Sequence, residues 1–128
     1  PLMQDSLLDL IATVAEGGKL QPGVAAARTD TAVTTVVASG GYPSSYEKSK
    51  EVTIPRQLES ENCIVFHAGT IRREGQLLTS GGRVLAVTAL APSISEAAEA
   101  SADAAGQIEF GGAFHRSDIG WRERLRQD

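Results

Sequence analysis

Three short apolar runs constrain this chain more than any other feature: Ala32 to Ala38, Cys63 to Ala68 and Val84 to Leu90. Their length and their β-branched content suit a buried, pleated surface, so each is read as a core strand. Two of them share the same punctuation. Ser39-Gly40-Gly41-Tyr42-Pro43 closes the first, and Ser80-Gly81-Gly82 precedes the third. Such glycine and proline clusters break regular structure and turn the chain. A hairpin follows the second strand, with Arg72 to Gly75 as its turn region and Gln76 to Thr79 as its return.

Around the strands the periodicity changes to helical. Leu7, Leu8, Ile11 and Val14 recur at helical spacing, with Met3 and Leu10 beside them. Asp5 or Ser6 supplies an N-cap and Gly17-Gly18 a stop, which predicts a helix from about Asp5 to Glu16. Residues 19–30 hold Pro22, Gly23 and a small-residue run and read as a linker, the best boundary in the chain. The polar stretch from Ser44 to Glu61, with Pro55 inside it, reads as an irregular excursion able to carry a short helix or strand. After Ala91-Pro92, Ser93 and Glu96 stand at capping-box spacing and open a second helix. Ile94, Ala97, Ala98, Ser101 and Ala105 line one face of it, small enough for close packing on a sheet, and Gly106 ends it. Ile108 to Phe110 is expected to form a short strand. The tail from Arg116 to Arg126, where Asp118 and Glu123 interrupt the arginines, reads as a solvated terminal segment.

Composition narrows the function classes. A net charge of −4 gives no electrostatic reason to expect nucleic acid or an anionic membrane as partner. No apolar stretch approaches the ~20 residues of a membrane-spanning helix. The single cysteine, Cys63, leads into an apolar run and is read as an inert thiol; it allows no internal disulfide, which suits a reducing, cytoplasmic setting. A chain that starts at Pro1, with no initiator Met and no signal sequence, is expected to be a piece of a longer protein.

The familiar catalytic signatures are missing. Glu16-Gly17-Gly18-Lys19-Leu20 lacks the Ser or Thr of a phosphate loop and follows no strand. His67 and His115 stand far apart, fit no zinc spacing and are assigned structural hydrogen bonds. The two Gly-Gly turns are the better candidates. Glycine lets the backbone approach a ligand, and successive turn amides can form an anion-binding concavity. Arg83 follows Gly81-Gly82 directly, and a guanidinium can grip a phosphate through two parallel hydrogen bonds. Tyr42, Tyr46 and Lys48 follow Gly40-Gly41 with hydroxyls and a cation. The plainer reading is two strand-connecting turns whose glycines only satisfy backbone geometry.

At these same residues the sequence resembles the phosphoribosylamine–glycine ligase family. The matching segments are Val36 to Pro43, Tyr46-Glu47-Lys48, Val65 to Thr70, Thr79 to Leu85, Val87 to Leu90 and Arg116 to Arg122, in the family's order and approximate spacing. The resemblance covers the chain from Thr31 onward. It implies an ATP-grasp enzyme that activates glycine as an acyl phosphate with ATP and Mg2+, for attack by the amine of 5-phosphoribosylamine. The product is glycinamide ribonucleotide, in de novo purine synthesis. The implied fold is α+β: a small β-rich closing domain, barrel-sandwich or single-hybrid-like, with one packed helix. Residues 1–18 would be the last helix of the preceding ATP-grasp body, residues 19–30 a linker and residues 31–128 the C-terminal domain. By the same resemblance ATP and Mg2+ are held by the upstream body, which is this domain's partner. No catalytic or metal residue falls in this chain, and the fragment alone would be inactive. Arg83 with Gly81 and Gly82 would contact the phosphoribosylamine phosphate, and Lys48 with Gly40 and Gly41 would stand second. Ser49 departs from the Gly that the family commonly has after the Lys, and the alanine-rich linker before Thr31 is longer than usual. The alternative is a non-catalytic closing domain of another ATP-grasp ligase or carboxylase, or a free-standing phosphate-binding module.

Overall fold

The computed structural model describes residues 1–127. All three apolar runs are strands: β1 (Thr31–Ser39), β2 (Cys63–His67) and the later β5 (Arg83–Ala91). Between them lies the expected hairpin, β3 (Thr70–Arg73) and β4 (Gln76–Thr79), closed by Glu74 and Gly75 at φ 49° and 83°. Two successive positive φ values give the connection whose twist matches its strands. β5 pairs antiparallel with β1 and with β2, and a short β6 (Ala113–Phe114) extends β1, giving the sheet order β2-β5-β1-β6. The α+β, β-rich reading therefore holds.

Helix α2 (Ile94–Gly106) packs on one face of this sheet. Its N-terminus carries the full capping box: Ser93 Oγ accepts from the Glu96 amide, and the Glu96 carboxylate accepts from the Ser93 amide. Ala97, Ala98, Ser101, Ala104 and Ala105 are its buried residues, small enough to bring the helix backbone close to the strands. Thr35 and Ser101 meet there through a 2.8 Å hydroxyl–hydroxyl bond. Ser101 Oγ also donates to the Ala98 carbonyl at 3.1 Å, which leaves Thr35 as the donor to Ser101. Val37, Val65, Leu85, Val87, Ala104 and Ile108 lie together in the main core.

The expectation for the segment after α2 is corrected. The strand expected at Ile108 to Phe110 is a single bridge, Glu109 to Thr53, and the ladder residues are Ala113 and Phe114. Phe110 instead accepts the Ala113 amide, so the chain turns before it can pair. The solvated terminal segment carries a short helix, α3 (Trp121–Gln127), with Arg126 paired to Glu123 at 3.1 Å. The excursion from Ser44 to Glu61 is irregular as read, but its apolar members are core. Val52 and Leu58 are buried, and Ser49, Lys50 and Val52 exchange backbone bonds with β4.

Helix α1 (Leu7–Ala15) forms where expected, capped by Ser6. None of its residues is buried. The linker folds back on the N-terminus, with Arg28 N–H donating to Leu2 O and Gln4 N–H to Ala26 O.

Candidate functional site

The two Ser-Gly-Gly turns, some forty residues apart in sequence, meet at the end of the β1–β5 pair. The Ser39 amide donates to the Gly82 carbonyl at 2.8 Å, and Ser39 Oγ to the Gly81 carbonyl at 3.2 Å. Gly41 turns at φ 90°, the conformation a type II turn asks of its third residue, and Tyr42 N–H closes that turn onto Ser39 O. The chain then brings Tyr42 and Tyr46 back over Gly82, where any added Cβ would collide with both rings. This is a close approach that glycine alone permits.

Arg83 owes its direction to a β-bulge. Val37 pairs with Leu85, yet the next residue, Ala38, pairs with Arg83, so Val84 is one extra residue on β5. Without the insertion Arg83 would share a face with Leu85 and point toward the α2 side. With it, Arg83 stands opposite Ala38 and on the open side of the sheet. There it lines a groove of about 400 Å³ with Val36, Ala38, Tyr42, Pro43, Phe114, Arg116 and Ile119. Two guanidiniums reach this groove. Arg116 is already committed to Asp118 through bonds of 2.7 and 2.6 Å. The Arg116 guanidinium holds the Asp118 carboxyl below the usual carboxylate range, and the pairing raises Arg116 in turn. Arg83 has no ion pair among the described residues.

The structure thus gathers the two turns and Arg83 but changes what the turns do. The Gly81 amide donates to the Gly69 carbonyl at 3.2 Å, so it is not free to join an anion-binding concavity. Gly82 is buried under the tyrosines. Gly40 and Gly41 are exposed at the turn, and Gly40 lies against the Gly112 backbone. Lys48 is exposed on the following loop and does not line the groove; its neighbour Lys50 pairs with Glu47 at 2.6 Å. Sequence reasoning missed Phe114, Arg116 and Ile119 as groove residues. Only their place in the Arg116 to Arg122 family segment hinted at Arg116 and Ile119.

Of the two histidines, only His67 makes a side-chain hydrogen bond among the described residues, so the bond expected of His115 is not found. His67 Nδ1 bonds Thr70 Oγ1 at 2.9 Å. Burial pushes the Cys63 thiol up, with Glu59 adding to the effect, so little thiolate is present at neutral pH. Among the described residues no group of three His, Cys, Asp or Glu side chains could hold a metal ion. The groove's polar lining, two arginines with the hydroxyls of Thr34 and Tyr42, holds no carboxylate and does not fit Mg2+.

Residues 32–122 match the family described as phosphoribosylglycinamide synthetase, C domain. The chain belongs to this family. A phosphoribosylamine–glycine ligase of Vibrio vulnificus is 48% identical over 92 residues, 72% of this chain and 21% of the relative. That of Chlorobaculum tepidum is 44% identical over 127 residues, 94% of this chain and 28% of the relative. The crystal structure of the Thermotoga maritima enzyme of the same name superposes with a TM-score of 0.70 at 32% identity, covering 87% of this chain and 26% of that one. The chain therefore spans less than a third of the length of these relatives, and it corresponds to a C-terminal region of them.

Proposed function

We propose that this chain is the C-terminal domain of an ATP-dependent ligase that joins glycine to 5-phosphoribosylamine, giving glycinamide ribonucleotide for purine synthesis in the cytoplasm. The observation that carries the reading is the family match over residues 32–122, joined by relatives named as that ligase. Those names favour it over a carboxylase closing domain or a free-standing phosphate module. In this reading residues 1–18 belong to the preceding ATP-grasp body, which holds ATP and Mg2+, and the domain begins near Thr31.

Within this chain the task is binding and shaping. Arg83 is the groove's uncommitted cation, aimed outward by the bulge, and it would hold the phosphate of phosphoribosylamine. A phosphate placed there gains a charge-assisted, two-pronged contact. The Gly40-Gly41 and Gly81-Gly82 turns fix the end of β5 from which Arg83 projects, and Lys48 adds positive charge from the neighbouring loop. Tyr42, Pro43 and Phe114 give the groove apolar walls, which strengthen a charge contact by excluding water.

The test is Arg83→Ala in the full-length enzyme. The KM for phosphoribosylamine should rise about ten- to a hundred-fold, the size of a lost charge-assisted bond, with the KM for ATP little changed. Equal losses for both substrates would assign Arg83 to folding instead. Glycine- and phosphoribosylamine-dependent ADP formation by the 128-residue chain alone would overturn the claim that activation resides upstream.

A further inference from the structure

Two arginines line the groove, and the ion pair of the second occupies only one of its edges. Arg116 donates from Nε to Asp118 Oδ1 at 2.7 Å and from Nη2 to Asp118 Oδ2 at 2.6 Å. A guanidinium has five N–H donors in a planar fork, and this side-on pair uses two of them. The second N–H of Nη2 and both of Nη1 have no partner among the described residues. Two of these three lie parallel on the end edge of the guanidinium, the geometry that grips two oxygens of one phosphate. The carboxylate stands outside the groove. Arg116 lines both the groove and the hollow beside it, whereas Asp118 lines only the hollow. The sheet also spaces the two arginines. Ala38 pairs with Arg83 of β5 on one side and with Phe114 of β6 on the other. Cross-strand partners share a face, so Arg83 and Phe114 flank a floor made by one methyl group, roughly 10 Å apart at the usual strand spacing. Arg116 follows Phe114 by two residues and lines the wall that faces Arg83.

We propose that Arg116 is a second phosphate-binding residue, facing Arg83 across Ala38 and taking the same phosphate on its end edge, and that Asp118 is a positioning residue that holds the guanidinium plane for it. The inference rests on the ligase reading for a phosphorylated substrate in this groove and adds which residue completes the site. Charge sets the need. A phosphate monoester carries about −1.5 to −2 at neutral pH. Arg83 alone leaves it with excess negative charge among Tyr42, Pro43 and Phe114, where an unpaired charge is costly. A second guanidinium from the opposite wall removes that excess, and among the described residues no carboxylate lines the groove to compete for it. Asp118 takes up the Nε side, so Arg116 meets the ligand with its fork already ordered and loses less freedom on binding. A neutral sugar would leave both cations unmatched, so the pair also selects phosphorylated over unphosphorylated ligands.

The experiment titrates ribose 5-phosphate, which carries the phosphate but not the reacting amine, into the full-length parent enzyme by calorimetry. Arg116→Gln should weaken its binding about ten-fold, the scale of a lost charge-assisted contact. Arg116→Lys keeps the charge but not the fork and should fall between Arg116→Gln and the unsubstituted enzyme. Asp118→Ala should weaken binding about three-fold, because the ligand must then order a loose side chain. The KM for ATP and the unfolding midpoint should stay in place, since the Arg116–Asp118 pair is exposed and local. A residue that only holds the fold would move both. Unchanged affinity in Arg116→Gln overturns the proposal. If that variant does not fold, Arg116→Lys carries the test, and affinity equal to that of the unsubstituted enzyme overturns the two-pronged contact. Tighter binding in Asp118→Ala overturns the positioning role and makes Asp118 a competitor for Arg116. Arg83→Ala and a ligase assay on the same preparations separate this claim from the reading beneath it. Weakened binding in Arg83→Ala with none in Arg116→Gln rejects the second contact alone. Binding that depends on both arginines, without glycine- and phosphoribosylamine-dependent ADP formation, rejects the ligase reading alone.

Discussion

The two faces of the four-stranded sheet are made from the same kinds of side chain and reach opposite states. Along β1, Val33, Thr35 and Val37 are buried, while Thr34 and Val36 between them are exposed. Strand geometry sends alternate residues to opposite sides, so the difference is not in the strand but in what lies over it. On one side α2 brings a stripe of alanines into contact and seals the core. On the other only short segments around Met3, Tyr42 and Ile119 reach over the strands, Val36, Phe66 and Phe114 stay exposed, and the bulge at Val84 places a cationic side chain at its edge. An apolar strand face records a need for cover without recording what provides it.

The widest separation should appear when each face is cut back. Leu85→Ala, at a fully buried position, should cost about 2–5 kcal/mol in denaturant unfolding. Val36→Ala on the open face should cost less than about 1 kcal/mol in the domain alone. Equal costs would break the comparison. The hydroxyl pair under α2 sharpens it. Ser101→Ala strands the Thr35 hydroxyl and should cost about 1–3 kcal/mol. Adding Thr35→Val should recover part of that loss, since removing both partners leaves no buried donor unpaired. A double variant no better than the single one would assign the loss to packing.

At the loop behind the groove the expected effect is smaller. Ser49 holds φ 59°. Left-handed backbone costs a side-chain-bearing residue about 1–2 kcal/mol, and glycine's freedom in the unfolded chain returns part of that. Ser49→Gly should therefore stabilise by up to about 1 kcal/mol, read as a raised unfolding midpoint; destabilisation would contradict the loop geometry. The smallest effect belongs to the exposed Arg116–Asp118 pair on the groove rim. The folded carboxyl of Asp118 lies below its ordinary value, so any stability it contributes is present above that value and is lost as pH falls through the folded one. An NMR titration should show the Asp118 midpoint move upward in Arg116→Gln, and more weakly so at high salt.

Local chemistry made much of this fold legible. β-branched runs located three strands, the Arg72 to Gly75 region located a hairpin whose turn proves to be Glu74-Gly75 alone, and Ser93 with Glu96 located a helix start. What stayed hidden depended on partners distant in sequence. Val52 and Leu58 sit singly in a polar stretch and become core only because β4 and the segment after α2 lie beside them. Helix α3 has two large apolar residues, Trp121 and Leu125, both exposed, so no buried face announced it. At the candidate site, Arg83 and the two turns could be named from sequence. The bulge that aims Arg83 could not, because a bulge is a relation between two strands. Nor could the loss of the Gly81 amide to Gly69.

The pairing of β1 with β5 has a consequence for the order in which this protein is made. Its register joins Thr31 to Ala91, and the groove adds Phe114, Arg116 and Ile119 to β1, its turn and Arg83. The stretch from Cys63 to Ala91 is local and can zip on its own terms, but β1 must wait for a distant partner and pay the closure of a long loop. During synthesis from the N-terminus, the groove cannot exist until residue 119 has emerged. In a ligase of the relatives' length, everything ahead of this domain would by then have been synthesised, and the groove would be completed last.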